Sequence, residues 1–373
     1  MIMLAGLLHG RQLAENFVGE HDWATGMSQE RLSCALATRA AAEIGDESGV
    51  EFGQIAGAAF LNDSTLSVGD GQANNVRFFT TSGKLISTVG KTGRAPGEFR
   101  SISSLSLHHD TVVVSDGVGR RVSLLTTGGF VRWFDSSATS GPSRFIALIG
   151  DKRLIVAHTN SRRRGANGPE IWRDSVELRL ENSGQGKVLA RIEDVMRIVD
   201  FTKIFGMIEA PFRPPSVIKA ASNQIVIGEP NREIRRFKAD GSALPSIPSL
   251  WRGELISPDA MQQWTEDQVG RFKEPDRPIV RGMLAIAKTP DRAPAYDAIA
   301  LDRAGRIWIQ EYRAPFDTRP SQVVAVDSNG KTILRGTLEG RGRLLAASRT
   351  MVAVRVKDEN DVESVRLYRV SCN

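Results

Sequence analysis

The chain has 373 residues, 41% of them hydrophobic and 25% charged, which is typical of a globular domain and excludes fibrous, collagen-like and wholly disordered chains. No stretch contains the roughly 18 apolar residues that a membrane-spanning helix needs. The formal net charge of +6 comes from 38 Arg and 11 Lys against 43 acidic residues. These cations are scattered rather than gathered on one stripe, which argues against a nucleic-acid-binding protein.

The first 30 residues precede the patterned part of the chain, and we expect them to form a leader or an extension. The apolar run Met1 to Leu8 is short for the hydrophobic core of a secretion signal. The remainder, residues 31–373, is predicted to form a single domain.

A repeat of about 46 residues begins near residue 51. Residues 75–83 align with residues 121–129 at a shift of 46, and Glu51-Phe52 matches Glu98-Phe99 at a shift of 47. Each unit contains four short, alternating, β-branched segments bounded by turn-forming residues, which predict β-strands. In the second unit the predicted strands are 101–107, 111–115, 121–126 and 130–135.

The same pattern returns, less regularly, towards the C-terminus. A third unit fits 145–149, 153–158, 175–180 and 187–192. A fourth includes 224–228 and 233–237, and a fifth includes 296–301, 306–312 and 322–327. The last unit has only three predicted strands, at 343–347, 351–356 and 364–370.

Four-strand repeats of 40 to 50 residues indicate a β-propeller, in which each small sheet buries its faces against the next. The count predicts an all-β, six-bladed propeller of four-stranded antiparallel blades. Residues 31–40 lie just before the first unit, where they can supply the missing outer strand of the last blade. The two ends of the chain would then meet in one sheet and close the ring.

Two segments resemble a known family. Residues 92–99 (Thr-Gly-Arg-Ala-Pro-Gly-Glu-Phe), with 112–116 and 120–122, are similar to the NHL-type repeat, and residues 358–370 resemble the tail of bacterial six-bladed propeller proteins. The resemblance spans roughly 31–370 and is specific in the first, second, fifth and sixth units. It implies a bacterial protein that is exported, to the periplasm or cell surface.

The connections between predicted strands differ in length on the two faces of the disc. Third-to-fourth turns are short, as at Gly83, Gly129, Gly241 and Gly330, and lie on what we term the short-turn face. Long excursions at 159–174, 193–215 and about 246–295 lie on the opposite, loop-rich face. In repeat proteins such a face is often the binding face.

The longest excursion contains a predicted helix. Ser257 is placed to cap its N-terminus and Pro258 suits its first position. Met261, Trp264 and Phe272 recur at helical spacing. We expect a helical insertion between blades four and five that packs on the propeller as a lid, and a mobile gate over the channel is the alternative.

The second strand of each of five blades ends with a candidate functional residue on the loop-rich face. These residues are Asp70, Asp116, His158, Glu229 and Glu311. They could form a channel-mouth ring that binds a divalent cation or a cationic ligand. The alternative is a set of structural ion pairs, because each acid has an arginine nearby in sequence: Arg77, Arg120, Arg232 and Arg313.

Linear catalytic motifs do not occur in this sequence. The adjacent His108 and His109 are expected in an exposed bend on the short-turn side. Two functions therefore stay open. The first is a non-catalytic, monomeric binding or scaffold propeller, without a cofactor, that presents its loop-rich face to a protein, peptide or glycan. The second is a metal-dependent lyase or lactone hydrolase with a divalent cation at the channel mouth.

The two cysteines lie near opposite ends of the chain. Cys372 follows the third strand of blade six, and Cys34 begins the segment assigned as its fourth strand. The end of one antiparallel strand faces the start of its neighbour, so the two sulfurs should meet. A disulfide there would indicate an oxidising compartment. Two unrelated reduced cysteines in a cytoplasmic protein are the alternative.

Overall fold

The computed structural model describes residues 32–45, 49–135, 143–150, 152–158, 170–182, 185–199, 207–221, 224–340 and 342–373. Its strands, in chain order, are β1 (Cys34–Leu36), β2 (Ala42–Ile44), β3 (Ile55–Asn62), β4 (Thr65–Asp70), β5 (Asn75–Thr80), β6 (Leu85–Val89), β7 (Ile102–His108), β8 (Thr111–Asp116), β9 (Arg121–Thr126), β10 (Gly129–Asp135), β11 (Ser143–Ile149), β12 (Lys152–His158), β13 (Glu170–Asn182), β14 (Gln185–Val199), β15 (Met207–Glu209), β16 (Val217–Ala221), β17 (Gln224–Gly228), β18 (Ile234–Lys238), β19 (Ala243–Ile247), β20 (Tyr296–Leu301), β21 (Ile307–Glu311), β22 (Ser321–Val326), β23 (Thr332–Leu338), β24 (Arg343–Ala347), β25 (Met351–Lys357) and β26 (Glu363–Cys372).

These strands form six antiparallel sheets, one per blade, beginning at β3, β7, β11, β16, β20 and β24. The first strand of each blade contacts the first strand of the next, and β24 of blade six contacts β3 of blade one. The predicted six-bladed β-propeller is therefore confirmed.

The hydrophobic core is divided among the six junctions between neighbouring blades. One cluster joins Phe78 of blade one to Val112 of blade two, and another joins Ile149 of blade three to Ile227 of blade four. Second strands such as β8, whose last five residues are buried, are apolar along most of their length. This pattern arises because a blade is covered on both faces by its neighbours.

Blade six is completed by residues from the start of the domain. Strands β1 and β2 both pair antiparallel with β26, with Leu36 opposite Val370 and Ala42 opposite Leu367. The closing segment thus runs from Cys34 to Ile44 in two pieces, further along the chain than the predicted 31–40. The extension follows from the length of β26, whose ten residues offer more edge than one short strand covers.

Cys34 lies directly opposite Cys372 in this pairing, and their sulfur atoms are bonded. The two Cα atoms are 4.0 Å apart. The disulfide occupies the edge of blade six at which the other blades have a covalent turn between their third and fourth strands.

The insertion between blades four and five contains helices α1 (Pro258–Gly270) and α2 (Arg277–Leu284), joined through a 3₁₀ turn at Glu274–Asp276. We call residues 254–293 the cap. Ser257 Oγ accepts a hydrogen bond from the Ala260 backbone N–H at 3.1 Å, and Pro258 occupies the first turn. The predicted helical insertion is confirmed. Neither helix combines the length and apolar character needed to cross a bilayer.

Blade three differs from its prediction. Strand β13 begins at Glu170 and β14 continues to Val199, so parts of both predicted excursions are strand rather than loop. The first residues of β13 pair with the last residues of β14. This part of the hairpin extends past the end of β12, towards the loop-rich face. Short strand β15 adds a fifth strand there. Residues 159–169 and 200–206 of those excursions lie outside the described residues.

Candidate functional site

The structure places the candidate acids at or just after the ends of the second strands, where the loop-rich face begins. Asp70, Asp116 and Glu311 end their strands, and Glu229 follows β17. His158 ends β12, but its side chain lies outside what the structure describes. In the described part of the chain, no three of the His, Cys, Asp and Glu side chains come together as metal ligands.

Asp116 binds backbone N–H groups from two connections of its own blade. Its carboxylate accepts hydrogen bonds from Arg100 at 2.9 Å, Ser101 at 3.1 Å and Gly119 at 2.6 Å. Arg121 lies 3.9 Å away, so the expected pairing of Asp116 with Arg120 is wrong. Arg120 instead adopts a φ of +52° in the turn between β8 and β9. The carboxylate therefore links the segment just before β7 to the turn between β8 and β9.

Asp70 has the same role in blade one. It is 1% exposed, and Arg77 lies 3.8 Å from its carboxylate. Its backbone donors are Gly53, Gln54, Gln72 and Ala73, at 3.0 to 3.3 Å. Because these donors occupy the lone pairs, a cation would have to displace several hydrogen bonds to bind either aspartate.

Replacing Asp116 with alanine should lower the free energy of unfolding by about 2–4 kcal/mol, because three backbone N–H groups lose their acceptor in a buried position. Urea unfolding followed by tryptophan fluorescence measures the change. Asp110→Ala is the matched control, since that aspartate is 92% exposed and lies on the short-turn face. Equal stability of the Asp116→Ala and Asp110→Ala proteins would contradict a structural role.

The two glutamates bind arginine side chains. Glu229 accepts a hydrogen bond from Arg235 at 2.6 Å and lies 3.5 Å from Arg232. Glu311 accepts one from Arg313 at 2.8 Å. Burial raises the pKa of the Glu311 carboxyl, and the Arg313 guanidinium opposes that rise.

Arg313 also joins blade five to the cap. Its guanidinium lies 3.2 Å from Glu254, at the start of the cap, and 3.8 Å from Asp317. Arg319 binds the same two carboxylates, at 3.0 Å and 2.7 Å. Glu311 is thus one member of an ionic network that holds the cap to the loop after β21.

The cap is also packed against blade three. Trp264 of α1 and Met283 of α2 are buried in a cluster with Ile198 of β14 and Phe212. Tyr312 lies at the edge of this cluster, with its ring 6.4 Å from that of Phe212. The loop-rich face therefore presents a preassembled surface built from the cap, the hairpin of blade three and the loop after β21.

Ten large hydrophobic side chains are exposed among the described residues. Five are in outer strands: Leu85, Ile86, Val131, Trp133 and Val188. The other five belong to connections or strand extensions on the loop-rich face: Val118, Ile171, Leu255, Ile286 and Val362. None of the ten lies in a turn of the short-turn face, so of the two faces only the loop-rich one carries exposed large apolar side chains among the described residues.

One charged pair on the loop-rich side of the channel was not predicted from the sequence. Arg343, at the start of β24, lies 3.5 Å from the carboxylate of Asp297 in β20. Burial raises the pKa of the Asp297 carboxyl, and Arg343 opposes the rise. No linear motif identifies this pair, because the two residues are 46 positions apart and meet only when blades five and six pack together.

Comparison with known proteins supports the fold alone. No protein-family model matches this sequence, and no curated protein matches it. Among solved structures, the chain is similar to a "putative exported protein" of Bacteroides fragilis, at 11% identity and a TM-score of 0.50, over 91% of this chain and 96% of that one. A member of the DUF4221 family from Bacteroides vulgatus aligns at 10% identity and a TM-score of 0.45, over 92% and 98% of the two chains. Regucalcin, a calcium-binding protein from Agrobacterium tumefaciens, aligns at 10% identity and a TM-score of 0.42, over 91% and 96%.

Proposed function

We propose that this protein is an exported, non-catalytic binding propeller that presents its loop-rich face to a protein or peptide. The observation that supports this function most is that the insertions lie on that face and that, of the two faces, it alone carries exposed large apolar side chains among the described residues. Leu255, which is 67% exposed, and Ile286, which is 38% exposed, both belong to the cap. Exposed apolar patches rimmed by polar groups mark interaction sites.

A protein or peptide partner fits this face better than a glycan does. Of the exposed large apolar side chains in the described ranges, those on the loop-rich face are aliphatic, and the exposed Trp133 lies in an outer strand. Aliphatic anchors suit apolar peptide side chains. Export, to the periplasm or the cell surface, is supported by the disulfide, since such bonds persist in oxidising compartments.

The metal-dependent enzyme is the weaker alternative. Its proposed ligands Asp70 and Asp116 accept backbone hydrogen bonds, and Glu229 and Glu311 bind arginines. A cation at these positions would compete with the contacts that hold the blades' own loops.

The test is selection of binders from a random peptide library on the immobilised protein, with a glycan array in parallel. We expect selected peptides whose affinity falls at least about tenfold, equivalent to about 1.4 kcal/mol, in the Leu255→Glu, Ile286→Glu double variant. The matched control is Val131→Glu, since Val131 is 52% exposed in the outer strand β10. Its affinity for the same peptides should equal that of the wild type.

Two results would count against this function. Peptides that bind the cap variant and the wild type equally would place the site elsewhere. Strong glycan binding without peptide selection would replace the partner class.

A further inference from the structure

A cavity of about 500 Å³ lies inside the ring of first strands and is lined by all six blades. Its wall includes His109, Ala221 and Arg303, at or just beyond the C-terminal ends of first strands β7, β16 and β20. Each first strand runs towards the turn that leads into the second strand. The cavity therefore reaches the short-turn face, opposite the cap.

The charged side chains on the described wall are all cationic: Arg144, Lys219 and Arg303. Arg303, near the mouth, lies 2.7 Å from the carboxylate of Asp110. Arg144 of β11 and Lys219 of β16 are on neighbouring first strands and have no hydrogen-bond or ion-pair partner among the described residues. The inner part of the wall thus holds two neighbouring cations that have no counter-charge among the residues that the structure describes.

Lys219 is partly exposed to the channel but is surrounded by protein. Burial lowers the pKa of its ammonium group, and the nearby charges of Arg343 and Arg144 lower it further. Arg343 already has a partner in Asp297. A desolvated cation beside two other cations is costly to hold charged, and such groups are concentrated at binding sites.

The rest of the wall mixes apolar residues with polar groups. Leu107, Ile146 and Leu345 are aliphatic lining residues from three different blades. Ser104 and Ser106 add hydroxyl groups close to the same lining. A volume of this size, with aliphatic residues beside cationic and hydroxyl groups, suits one small organic molecule that has both an apolar and a charged part.

We propose that this central cavity binds a small organic anion with an apolar body, whose charged group contacts Lys219 and Arg144. The ligand enters from the short-turn face, and its body packs on the aliphatic wall. This site is separate from the partner-binding face, so a negative result for one proposal would not affect the other.

Isothermal titration calorimetry with octanoate tests the proposal. Octanol, which lacks the charge, and inorganic phosphate, which lacks the apolar body, are the comparison probes. We expect octanoate to bind with at least about tenfold higher affinity than either, and to lose at least about tenfold in the Lys219→Met and Arg144→Met variants. Lys84→Met, on an exposed turn of blade one, is the charge-matched control and should bind octanoate like the wild type.

A second readout separates a binding lysine from a structural one. Removing an unpaired, repelled cation should raise the melting temperature of the unliganded Lys219→Met protein by about 2–4 °C. Octanoate affinity that is unchanged in both Met variants would overturn the proposal, as would phosphate binding as tight as octanoate binding. Arg144 is exposed, so Arg144→Met keeps the test decisive if Lys219→Met fails to fold.

Discussion

Deleting residues 1–45 should abolish cooperative folding of the propeller. The deletion removes both closing strands and the Cys34 half of the disulfide. Ile44 is fully buried in the cluster between blades six and one, and Leu36 packs on Gly336 of blade five. Loss of the buried Ile44 side chain costs about 2–5 kcal/mol, and loss of the partly buried Leu36 adds to that cost. Together with the lost disulfide, that approaches the whole stability of about 5–15 kcal/mol that native proteins have.

The matched comparison is a deletion of residues 1–31, which keeps β1, β2 and Cys34. The difference between the two truncated proteins in urea unfolding isolates the contribution of the closing segment. Near-ultraviolet circular dichroism reports whether tertiary packing survives. A cooperative transition at the same urea midpoint in both truncations would show that β26 needs no outer partner.

Reducing the Cys34–Cys372 disulfide should lower the free energy of unfolding by about 5 kcal/mol. The bond spans 338 residues of sequence, and in the chain-entropy model so long a loop gives close to the largest effect of a single disulfide. Urea unfolding with and without dithiothreitol measures the change. The native fold should persist after reduction, because β1 and β2 keep their backbone pairing with β26.

The double variant Cys34→Ser, Cys372→Ser controls for other effects of the reductant. It should unfold at the midpoint of the reduced wild type and should not respond to dithiothreitol. Wild-type protein with a verified disulfide that unfolds identically in both conditions would contradict this prediction.

The sequence predicted the fold well because blade structure is local. A blade needs four alternating segments and tight turns, and Gly83 and Gly330 mark two of those turns with φ angles of +89° and +86°. Several strands have the predicted bounds, among them Arg121–Thr126 and Tyr296–Leu301. The extended hairpin of blade three was missed because its outer ends have no neighbouring blade to impose a repeat pattern.

The charged sites were harder to predict, because their partners are not neighbours in sequence. Asp116 holds two loops together by accepting hydrogen bonds from their backbone N–H groups. Any residue type has such a group, so no sequence pattern predicts these contacts. Lys219 and Arg144 lie 75 positions apart and become neighbours only when blades three and four pack together. A search for cations on consecutive first strands could have found them.

The pairing of β1 with β26 also sets an order of events during synthesis. About 338 residues separate the two halves of the disulfide. At a synthesis rate of about 5–20 residues per second, β26 is made roughly 20–70 s after β1. Blades one to five can form in that interval, but the Cys34 thiol has no native partner until Cys372 has been synthesised. Premature oxidation in that interval would join two nascent chains rather than close one ring.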